Sequence, residues 1–253
     1  MIRIAAAGDI HFGTESGGTF RRHLKRLPDR ADVFLLTGDL TRHGDPDEAA
    51  VLAEELRDFP IPVVAVLGNH DYHGDRQDDI GRLLEDAGMK IIEGEGTVIE
   101  IDGERLGVAG TKGFGGGFIG ANATDFGEPE MKAFVQLTKS LAGRLQQTLS
   151  ELEVDYRVAL MHYAPIKETL VGEPPEIWAF LGSYLLGEAA DRAGADLILH
   201  GHAHRGTEKG ITPGGIHVRN VAQPVIQRAY RIYCLGGEQR GCEAVPTAET
   251  VAR

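Results

Sequence analysis

Apolar runs alternate with amphipathic stretches through the first third of the chain. Residues 2–7 (IRIAAA), 32–37 (DVFLLT) and 62–67 (PVVAVL) read as buried strands. A helix is predicted over about 19–27. The next helix is better signalled. Asp45 can cap it, Pro46 stands at its first position and Glu48 falls where a capping box wants it. Ala49, Leu52, Ala53 and Leu56 then repeat at helical spacing. Ile80, Leu83, Leu84 and Ala87 mark another helix, stopped by Gly88. Strands alternating with helices in this way predict a parallel sheet.

The pattern then changes. Residues 97–101 and 104–110 read as a hairpin around Asp102-Gly103, and 113–117 (GFGGG) as a flexible loop. A long helix is predicted from Glu128 to about Leu152, with Met131, Phe134, Leu141, Leu145 and Leu149 on one stripe. Buried strands return at 156–161 (YRVALM) and 195–199 (ADLIL). Between them lies a long Pro-containing segment, 163–183, which holds the one tryptophan. Residues 215–221 and 228–235 read as strands of a second sheet. With no repeat or linker, the reading is one domain over 1–236 and a polar, frayed tail over 237–253.

Composition narrows the function classes. Of 253 residues, 42% are apolar and 25% charged, a balance that supports a folded core. No apolar run approaches the ~20 residues of a membrane span. The start carries Asp9 and His11 at once, and reads as a strand rather than a signal peptide. The net charge of −12 disfavours nucleic acid as a partner, except as a nucleotide substrate. Two cysteines, Cys234 and Cys242, are too few for a disulfide scaffold. They read as inert, and a reducing cytoplasm is the expected location.

Metal-type side chains appear each time a buried strand runs out. The first strand delivers Asp9 and His11, the second Asp39, and the third Asn69, His70 and Asp71. YRVALM delivers His162, and the last run His200, His202 and His204. Ligands in open α/β sheets bind beyond the carboxyl ends of strands, so these residues can converge on one site. An oxygen and imidazole set without thiolate suits Mn, Fe, Zn, Co or Ni.

GDIH (8–11), GDLT (38–41), GNHD (68–71), MHY (161–163) and GHAH (201–204) stand in the order of the motif blocks of calcineurin-like metallophosphoesterases, which the sequence resembles. Within that superfamily it looks most like small bacterial Icc-type phosphoesterases. The resemblance implies an α/β fold, a four-layer αββα sandwich with two central mixed β-sheets flanked by helices. It also implies two divalent or trivalent metal ions, such as Mn, Fe or Zn. Asp9, His11 and His204 would hold one ion, Asn69, His162 and His202 the other, and Asp39 would bridge both. Two ions about 3.5–4 Å apart can clamp a phosphoryl group and acidify a bridging water, whose hydroxide would attack phosphorus in line. His70 matches the non-ligand histidine that assists the leaving group, and Asp71 would orient it.

Other residues are weaker candidates. Lys112 and Arg205 could contact substrate or equally be solvated charges, and Trp178 and Phe180, with the Pro174-Pro175 pair, could contact substrate as an apolar wall or lid over the site or equally pack that segment onto its own sheet. His200 reads as a packing or supporting residue. His43 and His73 could touch substrate but fit the surface better, and His23 and His217 read as ordinary surface or sheet residues. The glycines of 113–117 read as a connector rather than a phosphate cradle. The resulting expectation is a metal-dependent phosphoester hydrolase acting on a small substrate, with a phosphodiesterase favoured. The alternatives are a phosphomonoesterase or protein phosphatase on the same site, or a catalytically silent metal-binding scaffold.

Overall fold

Each apolar run of the first third becomes a strand of one sheet in the computed structural model, which describes residues 1–237 and 242–245. At the centre of that sheet β1 (Ile2–Ala7), β2 (Val33–Thr37) and β3 (Val63–Val66) run parallel, with the short β4 (Lys90–Ile91) beyond them. On the other side of β1 lies β13 (Arg231–Leu235), antiparallel to it, and then β14 (Glu243–Ala244). The second sheet has the order β11 (Lys209–Ile211), β12 (His217–Asn220), β10 (Leu197–His200), β9 (Tyr156–Met161), β6 (Glu104–Thr111), β5 (Glu95–Ile101). Its hairpin turns at Asp102 and Gly103, both at positive φ (49° and 85°), as a tight two-residue connection requires.

Strand alternation sorts the core into layers. Ile4, Leu35, Val64, Leu106, Val158, Leu160 and Leu199 fill the space between the sheets. The opposite face of the first sheet, including Phe34, Leu36 and Ala65, packs under α1 (Arg21–Leu24), α2 (Pro46–Leu56) and α3 (Gln77–Asp86). The outer face of the second sheet, with Ala159, Met161 and Ile198, packs under α4 (Pro129–Glu151) and α6 (Tyr184–Ala193). These are the four layers that the family resemblance implies.

Several local expectations are corrected. The helix expected over 19–27 is the single turn α1, and its N-terminal N–H groups at Gly18, Phe20 and Arg21 are accepted by the buried carboxylate of Glu55. Asp45 caps α2 through Asp47 N, but Glu48 does not close a capping box. It accepts from Arg42 N (2.9 Å) and His43 N (2.7 Å) instead. On α4 the buried stripe is Val135, Thr138, Ala142, Leu145 and Leu149, with Met131 exposed. The strand expected in the second sheet at 228–235 is β13 of the first, because Tyr233 and Leu235 fill the gap between the sheets.

The connectors are more ordered than expected. In the 113–117 loop, Gly116 N donates to Ala179 O (2.7 Å) and Gly117 N to Gly182 O (2.9 Å), so these amides are committed to packing. Residues 117–122 form the small hairpin β7 (Gly117–Phe118) and β8 (Ala121–Asn122). The ends of 163–183 are tied where Ala164 N donates to Leu181 O and Ser183 N to Ala164 O. That segment closes with the short α5 (Trp178–Leu181), and α7 (Gln223–Ile226) precedes β13.

The expected frayed tail is revised where the structure describes it. Residues 242–245 return to the first sheet, with Val245 buried, while 238–241 and 246–253 lie outside the described residues. Cys234 and Cys242, expected as inert thiols, form a disulfide with Cα atoms 5.8 Å apart. The pairing removes the cysteine-based argument for a reducing compartment. Among the described residues no helix is long and apolar enough to cross a membrane.

Leu106 has no exposed surface and sits between the sheets. Leu106→Ala should cost about 2–5 kcal/mol of stability through lost burial and the cavity left behind. A fall in the urea midpoint at unchanged m-value is the expected result.

Candidate metal centre

The parallel strands β1, β2 and β3 end on one rim, and β9 and β10 end beside them. The loops leaving these five strands carry Asp9, His11, Asp39, Asn69, His70, His162, His202 and His204. Two groups of side chains form there. Donor atoms of Asp9, His11, Asp39 and His204 lie within 4.8 Å of one another, as do those of Asp39, His162 and His202. Asp39 belongs to both groups. Asn69 joins the second, its Oδ1 lying 2.9 Å from His162 Nε2.

The loops hold these groups in backbone conformations that side chains rarely adopt. Asp9, His11, Asp39 and His202 all have positive φ, between 44° and 68°. Such strain persists only where the surroundings over-determine it, and it concentrates at functional sites. The surroundings here are backbone bonds between loops. Asp9 N donates to Gly38 O (2.9 Å) and His11 N to Asp39 O (3.0 Å). Glycine permits the closest approaches: a Cβ on Gly68 would overlap the Asp39 carboxylate, and one on Gly201 the Asp9 carboxylate.

Donor chemistry tests whether a cation fits. His162 Nδ1 lies 2.8 Å from Thr37 O, a partner that can only accept, so the ring proton belongs on Nδ1. Nε2 then presents a lone pair to Asn69 Oδ1 at 2.9 Å and Asp39 Oδ1 at 3.3 Å. Three lone pairs directed at one point call for a positive charge between them. In the first group His11 Nε2 is buried without a hydrogen-bond partner, 3.8 Å from Asp39 Oδ2. The residues present fit a pair of cations sharing Asp39, and the absence of thiolate suits borderline metals.

Electrostatics point the same way. Burial raises the Asp9 carboxyl, but its hydrogen bond to His204 (2.8 Å) and the charges of His162, His204 and His202 outweigh burial and hold it below the ordinary range. The same bond to Asp9 raises His204. Burial lowers His11, and it pushes His202 down to about 3. An ionised Asp9 and neutral His11 and His202 are protonation states that metal binding selects.

His70 stands at the rim with its side chain 43% exposed. Its Nδ1 lies 2.7 Å from Arg42 O, and its Nε2 lies 4.0 Å from Asp39 Oδ2. Asp71 does not orient it, contrary to expectation. The Asp71 carboxylate is fully buried and accepts from Gly68 N (2.8 Å), Leu40 N (3.1 Å), Thr41 N (2.7 Å) and Thr41 Oγ1 (2.6 Å). Burial raises this carboxyl against the lowering effect of those donors. It clasps the two loops that carry Asp39 and Asn69. The Arg42 carbonyl orients His70, and a backbone acceptor leaves no mark in the sequence.

The weaker candidates separate. Trp178 packs against the cluster of Phe118, Ala164, Leu170, Leu181 and Ala203 and donates to Glu173 O, so it serves its own segment. Phe180 is the exposed ring, and its carbonyl lies 3.4 Å from His202 Nε2. Arg205 follows His204 on the exposed edge, its N–H donating to Glu173 Oε1. Lys112 reaches toward the site from the end of β6. His200 is buried between Gly201 O and Thr169 Oγ1, where burial lowers it to about 4. His43 is paired with Glu48 at 2.9 Å, and His23 and His73 are exposed. Tyr163, whose ring lies 4.3 Å from that of His202, was signalled only by its place after His162.

The family profile described as calcineurin-like phosphoesterase matches residues 2–206. No curated protein matches the chain. Among solved structures, a phosphopantetheinyl hydrolase from Mycobacterium tuberculosis is similar at 15% identity and a TM-score of 0.67, over 93% of this chain and 96% of that one. A Thermus thermophilus protein is similar at 18% identity and 0.52, over 87% and 88%. A 5'-nucleotidase from Candida albicans is similar at 13% identity and 0.54, over 98% of this chain and 48% of that one. At these identities the likeness is one of fold.

Two variants separate ligands from non-ligands. Asp39→Ala should lose both bound ions, whereas His70→Ala should keep them; elemental analysis after Mn²⁺ loading reads the difference, and equal loss overturns the assignment of His70. Asp71→Ala should strand three buried backbone N–H groups and cost about 3 kcal/mol or more, measured by urea unfolding.

Proposed function

We propose, from the premise that the chain belongs to the calcineurin-like phosphoesterase family, that it hydrolyses phosphodiesters with a pair of metal ions. The observation that carries this reading is the sharing of Asp39 by two ligand groups. A carboxylate has two oxygens and can serve two cations, whereas the Asn69 carbonyl can serve one. In this reading Asp9, His11, Asp39 and His204 hold one ion, and Asp39, Asn69, His162 and His202 hold the other. When bound, such a pair supplies Lewis-acid charge to phosphoryl oxygens and lowers the pKa of water at neutral pH.

The protein's own groups do the rest. Thr37 O fixes the tautomer of His162. His70 donates from Nδ1 to Arg42 O, so its Nε2 is the atom that faces substrate. Charged by a second proton, Nε2 passes that proton to the departing oxygen. The one domain proposed over 1–236 contains all of these residues.

A diester needs room for two arms. The half-exposed His70 and His204 and the exposed Phe180 and Val171 support an open site of that kind. Bis-p-nitrophenyl phosphate should therefore be hydrolysed faster than p-nitrophenyl phosphate in the presence of Mn²⁺, with both activities abolished by chelation. His70→Ala should lower kcat by about 10²–10⁴-fold at unchanged metal content. A faster monoester reaction would refute the diesterase preference. No hydrolysis of either ester with Mn²⁺, Fe²⁺ or Zn²⁺ would refute the enzyme.

A further inference from the structure

Lys112 is a cation without a counter-ion in contact. Its ammonium lies 4.8 Å from the ring centroid of Tyr72, 5.2 Å from that of Phe114 and 5.6 Å from that of Tyr163. Among the described residues no carboxylate comes within 4.0 Å of it and no hydrogen bond occupies its three N–H donors. Aromatic faces attract a cation but accept no strong hydrogen bond. Glu93 does not complete the cup, because its carboxylate is engaged by Lys112 N (2.6 Å) and Thr111 Oγ1 (2.9 Å). Burial lowers the affinity of Lys112 for its proton, which Glu93 and Asp39 oppose from a distance.

The placement of this cation is not accidental to the site. The Lys112 carbonyl accepts from both His162 N (3.1 Å) and Tyr163 N (3.0 Å), which fixes its backbone to the loop that carries a ligand histidine. Tyr72 follows the block that carries Asn69 and His70, and Tyr163 packs against His202. The ammonium therefore stands between two ligand loops on the side of the second ligand group. A residue needed only for packing there would be apolar; a charge held against desolvation without a partner awaits an anion.

Resting on the phosphoesterase reading above, we propose that Lys112 binds a non-bridging oxygen of the phosphoryl group, held in place by the cup of Tyr72, Phe114 and Tyr163. The rings exclude water from the ammonium and limit its rotamers, so its charge acts on phosphate in a partly desolvated setting. This is a fixed positive charge added to that of the metals.

Orthophosphate is the probe, because its binding needs no turnover. Calorimetry on Mn²⁺-loaded protein should show the Kd for orthophosphate raised about 10-fold or more in Lys112→Met, with partial recovery in Lys112→Arg. The kcat/KM for bis-p-nitrophenyl phosphate should fall roughly 10²-fold at unchanged metal content. Metal-free Lys112→Met should unfold in one cooperative transition like the unaltered protein, since methionine keeps an apolar stem against the three rings. If Lys112→Met binds orthophosphate as tightly as the unaltered protein, the proposal is wrong. Lys112→Gln repeats the test should the methionine variant not fold. If the unaltered protein hydrolyses no phosphoester yet binds orthophosphate through Lys112, the functional reading fails and this proposal stands.

Discussion

Two carboxylates, Asp9 and Asp39, are buried to within a few percent at the meeting point of two sheets. Burying one ionised carboxylate is costly, and burying two side by side is costlier unless positive charge stands between them. Much of the molecule can be understood as the means of holding them there. Five strand ends aim their loops at one point, four candidate ligands take left-handed backbone conformations, and Gly68 and Gly201 let neighbouring loops touch the carboxylates. Histidine protons and backbone N–H groups meet part of the electrostatic demand. The remainder is what a cation pair would meet.

The rigidity of this arrangement comes from outside the ligand set. The Asp71 carboxylate gathers donors from Gly68, Leu40 and Thr41, so the second and third strand loops move as one body. Thr37 O and Arg42 O then set the rings of His162 and His70. A ligand displaced by an ångström loses most of its value to a metal or a reacting phosphate. The clasp therefore belongs to function even though its carboxylate touches neither.

The fold was legible where the local pattern and the tertiary environment agree. IRIAAA, DVFLLT and YRVALM are largely buried, and each is followed within two residues by a metal-type side chain, Asp9, Asp39 or His162, so strand and ligand are legible together. The strand at 228–235 was read as a strand, but its sheet was not legible, because pairing with β1 depends on a contact more than two hundred positions away. The same limit hid the roles of Asp71 and Trp178. Aspartate beside a histidine suggests a dyad, but four nearer donors take the carboxylate; an exposed-loop tryptophan suggests a lid, but a local apolar cluster takes the indole. The helix α6 was missed because its Ser183 cap lies inside a segment read as loop.

Chemistry and recognition are divided between two kinds of structure. The ligand groups stand on strand ends braced by backbone bonds, while the segment 163–183 that starts beside His162 leaves Val171 and Phe180 exposed. Phe180 joins the two parts, its carbonyl against His202 and its ring in solvent. Substitution of the exposed Phe180 ring changes that surface and leaves the carbonyl at His202 in place, whereas substitution in the loops after β1, β2 and β3 disturbs the ligands themselves. Sequence motifs therefore identify the chemistry of this chain better than its substrate. The blocks describe the braced half, and the exposed side chains of 163–183 follow no spacing rule.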